Sequence, residues 1–293
     1  MSAAVATPPQ ILIATPVAFT ADGALDVEGS REIFRKVARS DADGAFILGT
    51  TGEFIAMSDV ERDAIAVAAL DELGGKRVVV HVGAASVFQV KALIDQARER
   101  GVTDVAVLEP FYLPAIPDAV RYFFREVAAH AAGMDVYAYL FTARTGTSVS
   151  VEELVRIAEI PGIVGVKISG KSLETVASYR AALPAGFAVF TGSDRDFARV
   201  AEIGADGVVS GIASVFPEAF TGLRAALVAG NRDEVARRQS VVEQVVDALR
   251  GNPAWLKHAL RLQGVNAGYA RMPLSEPTGE ALAEIERVIR EYA

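Results

Sequence analysis

The chain has 293 residues, about half of them hydrophobic and 23% charged, which suits one α/β barrel with additions. A net charge of -8 argues against nucleic acid as a partner, since phosphates demand a basic surface, and no apolar run approaches the roughly 20 residues of a membrane span. Cysteine is absent, which excludes disulfides, thiolate nucleophiles and Cys-ligated zinc.

The three histidines, His81, His130 and His258, are scattered along the chain, so no His-based metal site is expected. Lysine occurs only as Lys36, Lys76, Lys91, Lys167, Lys171 and Lys257, which makes the setting of each informative. The opening MSAAVATPPQ lacks a basic region followed by an apolar stretch. It reads as a leader and not as a signal peptide, and a cytoplasmic location is expected.

Short apolar, β-branched runs alternate with segments of helical period. The runs are Ile11–Thr15, Ala45–Leu48, Val78–Val82, Val105–Leu108, Val136–Phe141, Ile163–Ile168, Phe187–Thr191 and Gly207–Ser210. Each is followed by an amphipathic segment; the third of these ends on Gly101, a usual left-handed stop. Continuous rather than alternating runs imply parallel strands buried on both faces. Eight such units predict an α/β fold, a (β/α)₈ TIM barrel over residues 1–230, with an open doubly wound sheet as the alternative. After the eighth helix, Pro217–Ala229, the pattern is purely helical: Asn231–Arg250, Pro253–Leu262 and Glu276–Tyr292. Residues 231–293 therefore read as an extension of about three helices, packed on the barrel as one structural unit.

In such a barrel the active site lies where strands end. Lys167 closes the run GIVGVK. Burying an ammonium there lowers its pKa toward neutrality, and a neutral amine can attack a ketone to form an iminium electron sink. The plain alternative is a lysine paired with a carboxylate. The other five lysines read as helix-surface or loop residues. Gly49–Glu53, GTTGE, ends the second run; its turn suits a carboxylate ligand, or is simply a Gly-rich turn capped by Thr. Alternation puts Tyr137, Tyr139 and Phe141 on one face of the fifth run, but parity does not say whether that face is inward. Tyr112 follows the fourth run, and either tyrosine can be plain packing.

This ordered set resembles the dihydrodipicolinate synthase/N-acetylneuraminate lyase family of class I, pyruvate-binding aldolases. The likeness runs from Ala14–Pro16 through GTTGE, Pro110–Tyr112, Tyr139 with Arg144–Gly146, Gly165–Lys167 and Gly204–Gly207. It ends in Asn252–Pro253, Lys257 and Arg271–Pro273. The resemblance implies a Schiff base on Lys167, with Thr50 and Thr51 holding the pyruvate carboxylate. It implies a proton relay of Thr50, Tyr112 and Tyr139, with Tyr112 reaching a neighbouring subunit's site. Backbone carbonyls near Val209 would line the pyruvate pocket. No cofactor is implied beyond the covalent lysine–pyruvate adduct. The implied partners are pyruvate with an aldehyde or sugar acid, and further copies of the chain in a dimer or tetramer.

The match is looser around the second substrate. The family often writes Tyr-Asn-x-Pro where this chain has Tyr139-Leu140-Phe141-Thr142. Arg144 stands where synthases bind the second carboxylate, or is a rim residue. Ser169 and the Gly192-Ser193-Asp194 stretch resemble sugar-acid lyases, although Asp194 can equally cap the seventh helix. The resulting expectation is a lyase acting on a 2-keto-3-deoxy sugar acid or related 4-hydroxy-2-oxo acid. A dihydrodipicolinate-type synthase and a dehydratase using the same iminium stand behind it. Two weaker rivals are a phosphosugar barrel, with phosphate loops at Gly192–Asp194 and Gly207–Gly211, and a catalytically silent binding protein.

Overall fold

The computed structural model describes residues 8–293, so residues 1–7 of the expected leader lie outside the described residues. The apolar runs form eight strands, each bounded within one residue of its expected position: β1 (Gln10–Ala14), β2 (Gly44–Ile47), β3 (Arg77–His81), β4 (Asp104–Leu108), β5 (Asp135–Leu140), β6 (Ile163–Ile168), β7 (Ala188–Thr191) and β8 (Gly207–Ser210). In chain order they close into a barrel. The registers are parallel, for example Leu12↔Gly44 between β1 and β2 and Tyr139↔Lys167 between β5 and β6. Consecutive residues such as Val105, Ala106 and Val107 are all buried, because side chains on both faces of a parallel sheet are covered.

The helices are α1 (Val27–Arg39), α2 (Asp59–Glu72), α3 (Val87–Glu99), α4 (Pro117–His130), the single turn α5 (Thr142–Thr145), α6 (Val151–Ala158), α7 (Leu173–Ala182), α8 (Pro217–Val228), α9 (Arg232–Leu249), α10 (Pro253–Leu262) and α11 (Gly279–Tyr292). Their starts follow local chemistry. Ser58 and Glu61 form a reciprocal capping box at α2, while Asn231 and Asn252 cap α9 and α10 through their side chains. Gly101 takes φ 74° just beyond α3, as expected.

Two expected helices differ. The crossover from β7 to β8 holds only 3₁₀ turns, Asp194–Arg199 and Ala201–Ile203, so Asp194 has no seventh α-helix to cap. Fifteen residues, Gly192 to Asp206, separate these strands. The last helix begins at Gly279 and not at Glu276, because Pro277 disfavours a helical Glu276. The Glu276 carboxylate instead meets His258 Nδ1 at 2.9 Å and accepts from Arg261 at 2.8 Å, both on α10.

The chain forms two compact units. One comprises the residues up to Val78 with Asp194–Ala198 and Val209–Ala293; the other comprises Val79–Ser193 with Arg199–Val208.

Within the first unit, Lys257 overturns the expectation that it is a surface lysine. It is fully buried on α10 and ion-paired with the equally buried Glu53 of GTTGE. Nζ also donates to the Tyr269 carbonyl at 2.8 Å. The second oxygen of Glu53 accepts the backbone N–H groups of Arg271 (2.9 Å) and Met272 (2.6 Å). Burial pushes the Lys257 ammonium below its ordinary range, and the Glu53 charge opposes that. The Arg271 guanidinium grips Glu61 at 2.7 and 2.9 Å and lies 4.2 Å from the Phe19 ring centre, with Lys257 Nζ 4.7 Å from the same centre. That grip holds the Glu61 carboxyl down at about 2.

Removing one partner of a buried pair strands the other charge. Lys257→Met should therefore lower unfolding stability by about 3–5 kcal/mol. Lys257→Met combined with Glu53→Gln should recover part of that loss. Urea unfolding of the three proteins checks it, and a single variant within 1 kcal/mol of wild type, against the ~3–5 expected, would show that the pair does not hold this region.

Candidate active site

In the second unit, four side chains gather at the C-terminal ends of neighbouring strands. Leu108, Tyr139, Lys167 and Phe190 are in lateral register across β4 to β7. His81 on β3 is in register with Ala106, which in turn pairs with Tyr137. The backbones of β3 and β5, with β4 between them, lie about 9–10 Å apart, yet the His81 and Tyr139 rings approach to 6.0 Å between centroids. Such convergence needs the concave face of the sheet. That settles the parity question: Tyr137, Tyr139 and Lys167 point inward.

Small residues make room for the large ones. A Cβ on Gly165 would come within 2.6 Å of the Tyr137 ring, so glycine alone fits beneath it. Tyr137 then packs edge-on to Phe190, with centroids 6.3 Å apart. Lys167 is 6% exposed and its Nζ lies 4.1 Å from the centre of the Tyr139 ring, itself 1% exposed. A π-face stabilises a cation placed over it. The structure thus brings together the expected nucleophile and one expected proton-relay phenol. Ser169, just beyond β6, is buried with its hydroxyl against Gly192, where any side chain would collide with it.

His81 is a site residue that strand-end reasoning passed over, although it closes the third run as Lys167 closes the sixth. It is fully buried, and its Nε2 accepts the Leu108 N–H at 3.3 Å. Through that bond the ring takes a backbone donor from the neighbouring strand. Glu109 was passed over in the same way at the end of the fourth run. It is fully buried and accepts the Phe141 N–H and the Thr145 hydroxyl. Burial raises its carboxyl to about 7, against the pull of those donors and of Lys171.

Arg144 sits on the exposed single turn α5, its guanidinium 5.8 Å from the Phe141 ring centre. Tyr112 is 87% exposed and takes φ 74°, a left-handed conformation rare for a bulky residue. It is not gathered with Tyr139 and Lys167.

In the first unit, Leu48, just past β2, takes φ 59° and the chain turns sharply through Gly49–Glu53. A Cβ on Gly49 would come within 2.8 Å of the Phe46 ring. The Gly52 and Glu53 N–H groups bond back to the Gly49 and Thr50 carbonyls, both at 3.1 Å. Thr50 and Thr51 are half-buried. The Thr51 hydroxyl lies 3.1 Å from the position a Gly211 Cβ would take, so it abuts the end of β8, where Val209 is buried. Asp194 opens the 3₁₀ turn after β7 and is half-buried. Gly207–Ser210 is the strand β8 itself, which removes it as a phosphate loop. Among the described residues, no cluster of three or more His, Asp or Glu could hold a metal ion, and no helix is long and apolar enough to cross a membrane.

Residues 8–292 match the Dihydrodipicolinate synthetase family. An "uncharacterized DapA-like lyase" of Halobacterium salinarum is 38% identical over 260 residues, covering 88% of this chain and 85% of that protein. The 4-hydroxy-tetrahydrodipicolinate synthase 1 of Streptomyces coelicolor is 31% identical over 287 residues, covering 96% and 93%. Among solved structures, dihydrodipicolinate synthase of Bacillus anthracis superposes with TM-score 0.91 at 24% identity, covering 98% of this chain and 99% of that one. The sialic acid aldolase of Ruminococcus gnavus gives 0.90 at 21%, covering 97% and 96%. These last two likenesses are of fold. By its sequence the chain belongs to the dihydrodipicolinate synthetase family and is a carbon–carbon lyase.

Proposed function

We propose that the enzyme carries pyruvate, as product or donor, in a Schiff base on Lys167, and makes or cleaves a 2-keto-3-deoxy sugar acid or a related 4-hydroxy-2-oxo acid. The carrying observation is the Lys167 amine, buried at the end of β6 and 4.1 Å from the Tyr139 ring centre. The neutral amine adds to the C2 carbonyl and water leaves, giving the iminium. In the cleavage direction the C4 hydroxyl loses its proton as the C3–C4 bond breaks, and that bond's electron pair moves to the iminium. The aldehyde departs, the enamine takes a proton at C3, and water releases pyruvate.

Tyr139, Thr50 and Tyr112 are assigned the proton relay, Thr50 and Thr51 the pyruvate carboxylate, and the Val209 carbonyl the pocket lining. A phenol beside the amine suits proton transfer. The scheme uses no cofactor. Ser169 and Asp194 are assigned to the sugar-acid hydroxyls, a choice favoured by the buried Ser169 and by the absence of Tyr-Asn-x-Pro at Tyr139–Thr142. Arg144 favours a second reading, a 4-hydroxy-tetrahydrodipicolinate synthase condensing pyruvate with an amino aldehyde, the activity named for the Streptomyces relative. Exposed Tyr112, Leu113 and Ile116 (87%, 74% and 69%) support a homo-oligomer in which Tyr112 enters a neighbour's site. A left-handed tyrosine costs about 1–3 kcal/mol, which favours a role that uses its position. We also assign residues 1–230 to the barrel and 231–293 to a helical appendage of the same unit, in a cytoplasmic enzyme.

Borohydride added with pyruvate should inactivate the enzyme and leave a reduced pyruvyl adduct on Lys167. Peptide mapping that finds the adduct on Lys171 or Lys257 would overturn the assignment. Tyr139→Phe should keep pyruvate binding while losing roughly 10²–10⁴-fold in turnover; near-normal turnover would make Tyr139 a packing residue.

A retro-aldol screen of 2-keto-3-deoxy acids, with pyruvate release coupled to lactate dehydrogenase, identifies the best substrate. Arg144→Ala should then cost about 2–5 kcal/mol in kcat/KM for a substrate whose second carboxylate it clamps, with pyruvate trapping unchanged. Equal losses in both measurements would make Arg144 a rim residue. No loss in either would favour Ser169 and Asp194 as the selecting groups.

A further inference from the structure

We propose that Glu109 is a positioning residue whose carboxylate sets the Phe141–Gly146 turn, and through it Arg144, for the second substrate. The proposal rests on Arg144 meeting that substrate's carboxylate, as read above.

The geometry is a strand ladder extended by a side chain. Leu108 pairs with Tyr139, and the Glu109 N–H donates to the Tyr139 carbonyl at 2.9 Å. The next donor on β5's continuation is the Phe141 N–H. Both oxygens of the Glu109 side chain receive it, at 2.7 and 3.0 Å. The Thr145 hydroxyl donates to the same carboxylate at 2.9 Å. Glu109 therefore ties the first and last residues of the turn that displays Arg144. The turn is closed from within by Arg144 N–H to Phe141 carbonyl at 2.8 Å and Gly146 N–H to Thr142 carbonyl at 2.9 Å. Thr147 links it to the loop that follows Glu109, donating to the Pro110 carbonyl at 2.7 Å and accepting the Ala115 N–H at 3.1 Å. The carboxylate is fully buried and makes no direct contact with solvent.

All three hydrogen bonds need an acceptor, so they suit the carboxylate and conflict with the acid. Once protonated, one oxygen becomes a donor facing donors, and the turn loses part of its anchor. Burial raises Glu109 to about 7, while Lys171, from the loop before α7, acts in the other direction. Tyr179 on α7 is the other titratable group that interacts with Glu109; its hydroxyl donates to the Val149 carbonyl at 2.6 Å, and burial foremost, with Glu109 behind it, keeps it protonated. Arg144 itself rides on the turn. A proton taken up by Glu109 near neutrality therefore changes what the turn's donors meet.

The test uses the intact enzyme and three variants, Glu109→Gln, Glu109→Leu and Arg144→Ala, with the best carboxylated substrate from the screen. In wild type, KM for that substrate should rise about tenfold as pH falls from 8 to 6, one charge-assisted contact being worth about that factor. Glu109→Gln still offers an acceptor to Phe141 and has nothing to titrate, so its KM should be flat over that range. Glu109→Leu should have a raised KM at both pH values. Pyruvate trapping on Lys167 should follow the wild-type pH dependence in all variants. A Gln variant that keeps the wild-type pH dependence of KM, or that loses trapping and KM together, overturns the proposal. If Glu109→Leu does not fold, the Gln variant decides alone. If Arg144→Ala leaves KM unchanged at pH 8, the clamp reading has failed, and Glu109 is then judged by amide exchange. Protection of Phe141–Gly146 should drop between pH 8 and 6 in wild type and stay level in Glu109→Gln. Equal protection profiles in the two proteins would overturn the positioning role.

Discussion

The buried ion pair between Glu53 and Lys257 is the constraint on which the first unit is organised. Taking both charges out of water is expensive, and only close pairing with full hydrogen bonding offsets it. Glu53 has that: one oxygen on Lys257, the other on two successive N–H groups of residues 271–272. Lys257 uses a second donor on the Tyr269 carbonyl. One carboxylate at the end of GTTGE therefore joins the β2 turn, helix α10 and the stretch before α11. The turn needs this help. Leu48 and Glu53 both sit in the left-handed region, at φ 59° and 55°, and non-glycine residues hold such angles only where surrounding contacts enforce them. Thr50 and Thr51 lie between those two fixed points.

The second unit handles its own buried charge by a different route. Among the described residues Glu109 has no ion-pair partner; one backbone N–H and one hydroxyl of the 141–145 turn satisfy it instead. Hydrogen bonds to neutral groups stabilise a buried carboxylate less than a paired ammonium does, so desolvation prevails and its carboxyl rises to about 7. Glu53 is held by an ion pair and Glu109 by neutral donors. The difference follows from what each faces, and both sit directly behind loops that carry candidate substrate ligands.

Much of this fold was legible in the sequence because parallel strands buried on both faces appear as unbroken apolar runs. The helix-like pattern after β7 misled because composition reports amphipathicity but not the hydrogen-bond pattern the backbone adopts, and the crossover there holds only 3₁₀ turns. Lys167 was legible because it ends a run. Tyr139 was legible as a candidate, but its inward direction waited on register with Lys167 and on the ring of His81. Glu53 was visible only as the last letter of a motif. Its partner lies 204 residues away, and no local periodicity encodes a contact of that span. Glu109 and His81 carried the same strand-end signal as Lys167. Neither shows in the sequence as more than a polar residue at the end of an apolar run, because the groups each one bonds, the Leu108 N–H and the 141–145 turn, come from neighbouring strands and their loops.

Two lysines, Lys167 and Lys257, are buried, and their surroundings bear differently on the proposed role of nucleophile. Lys257 has its ammonium clamped by a carboxylate and a carbonyl, with no open side for a ketone to approach. Attack would require breaking a fully buried ion pair and leaving Glu53 charged in the interior, a cost of several kcal/mol before any bond forms. Lys167 meets an aromatic face instead. A π-face attracts a cation without donating or accepting a proton, so it can serve the ammonium, the iminium and every cationic stage between them equally. Its register with Tyr139 also places a phenol on the neighbouring strand, at the same height as the amine. On the proposed mechanism the amine must lose its proton, bond to carbon and carry positive charge again, and an aromatic face attracts each cationic stage of that sequence without taking the proton itself.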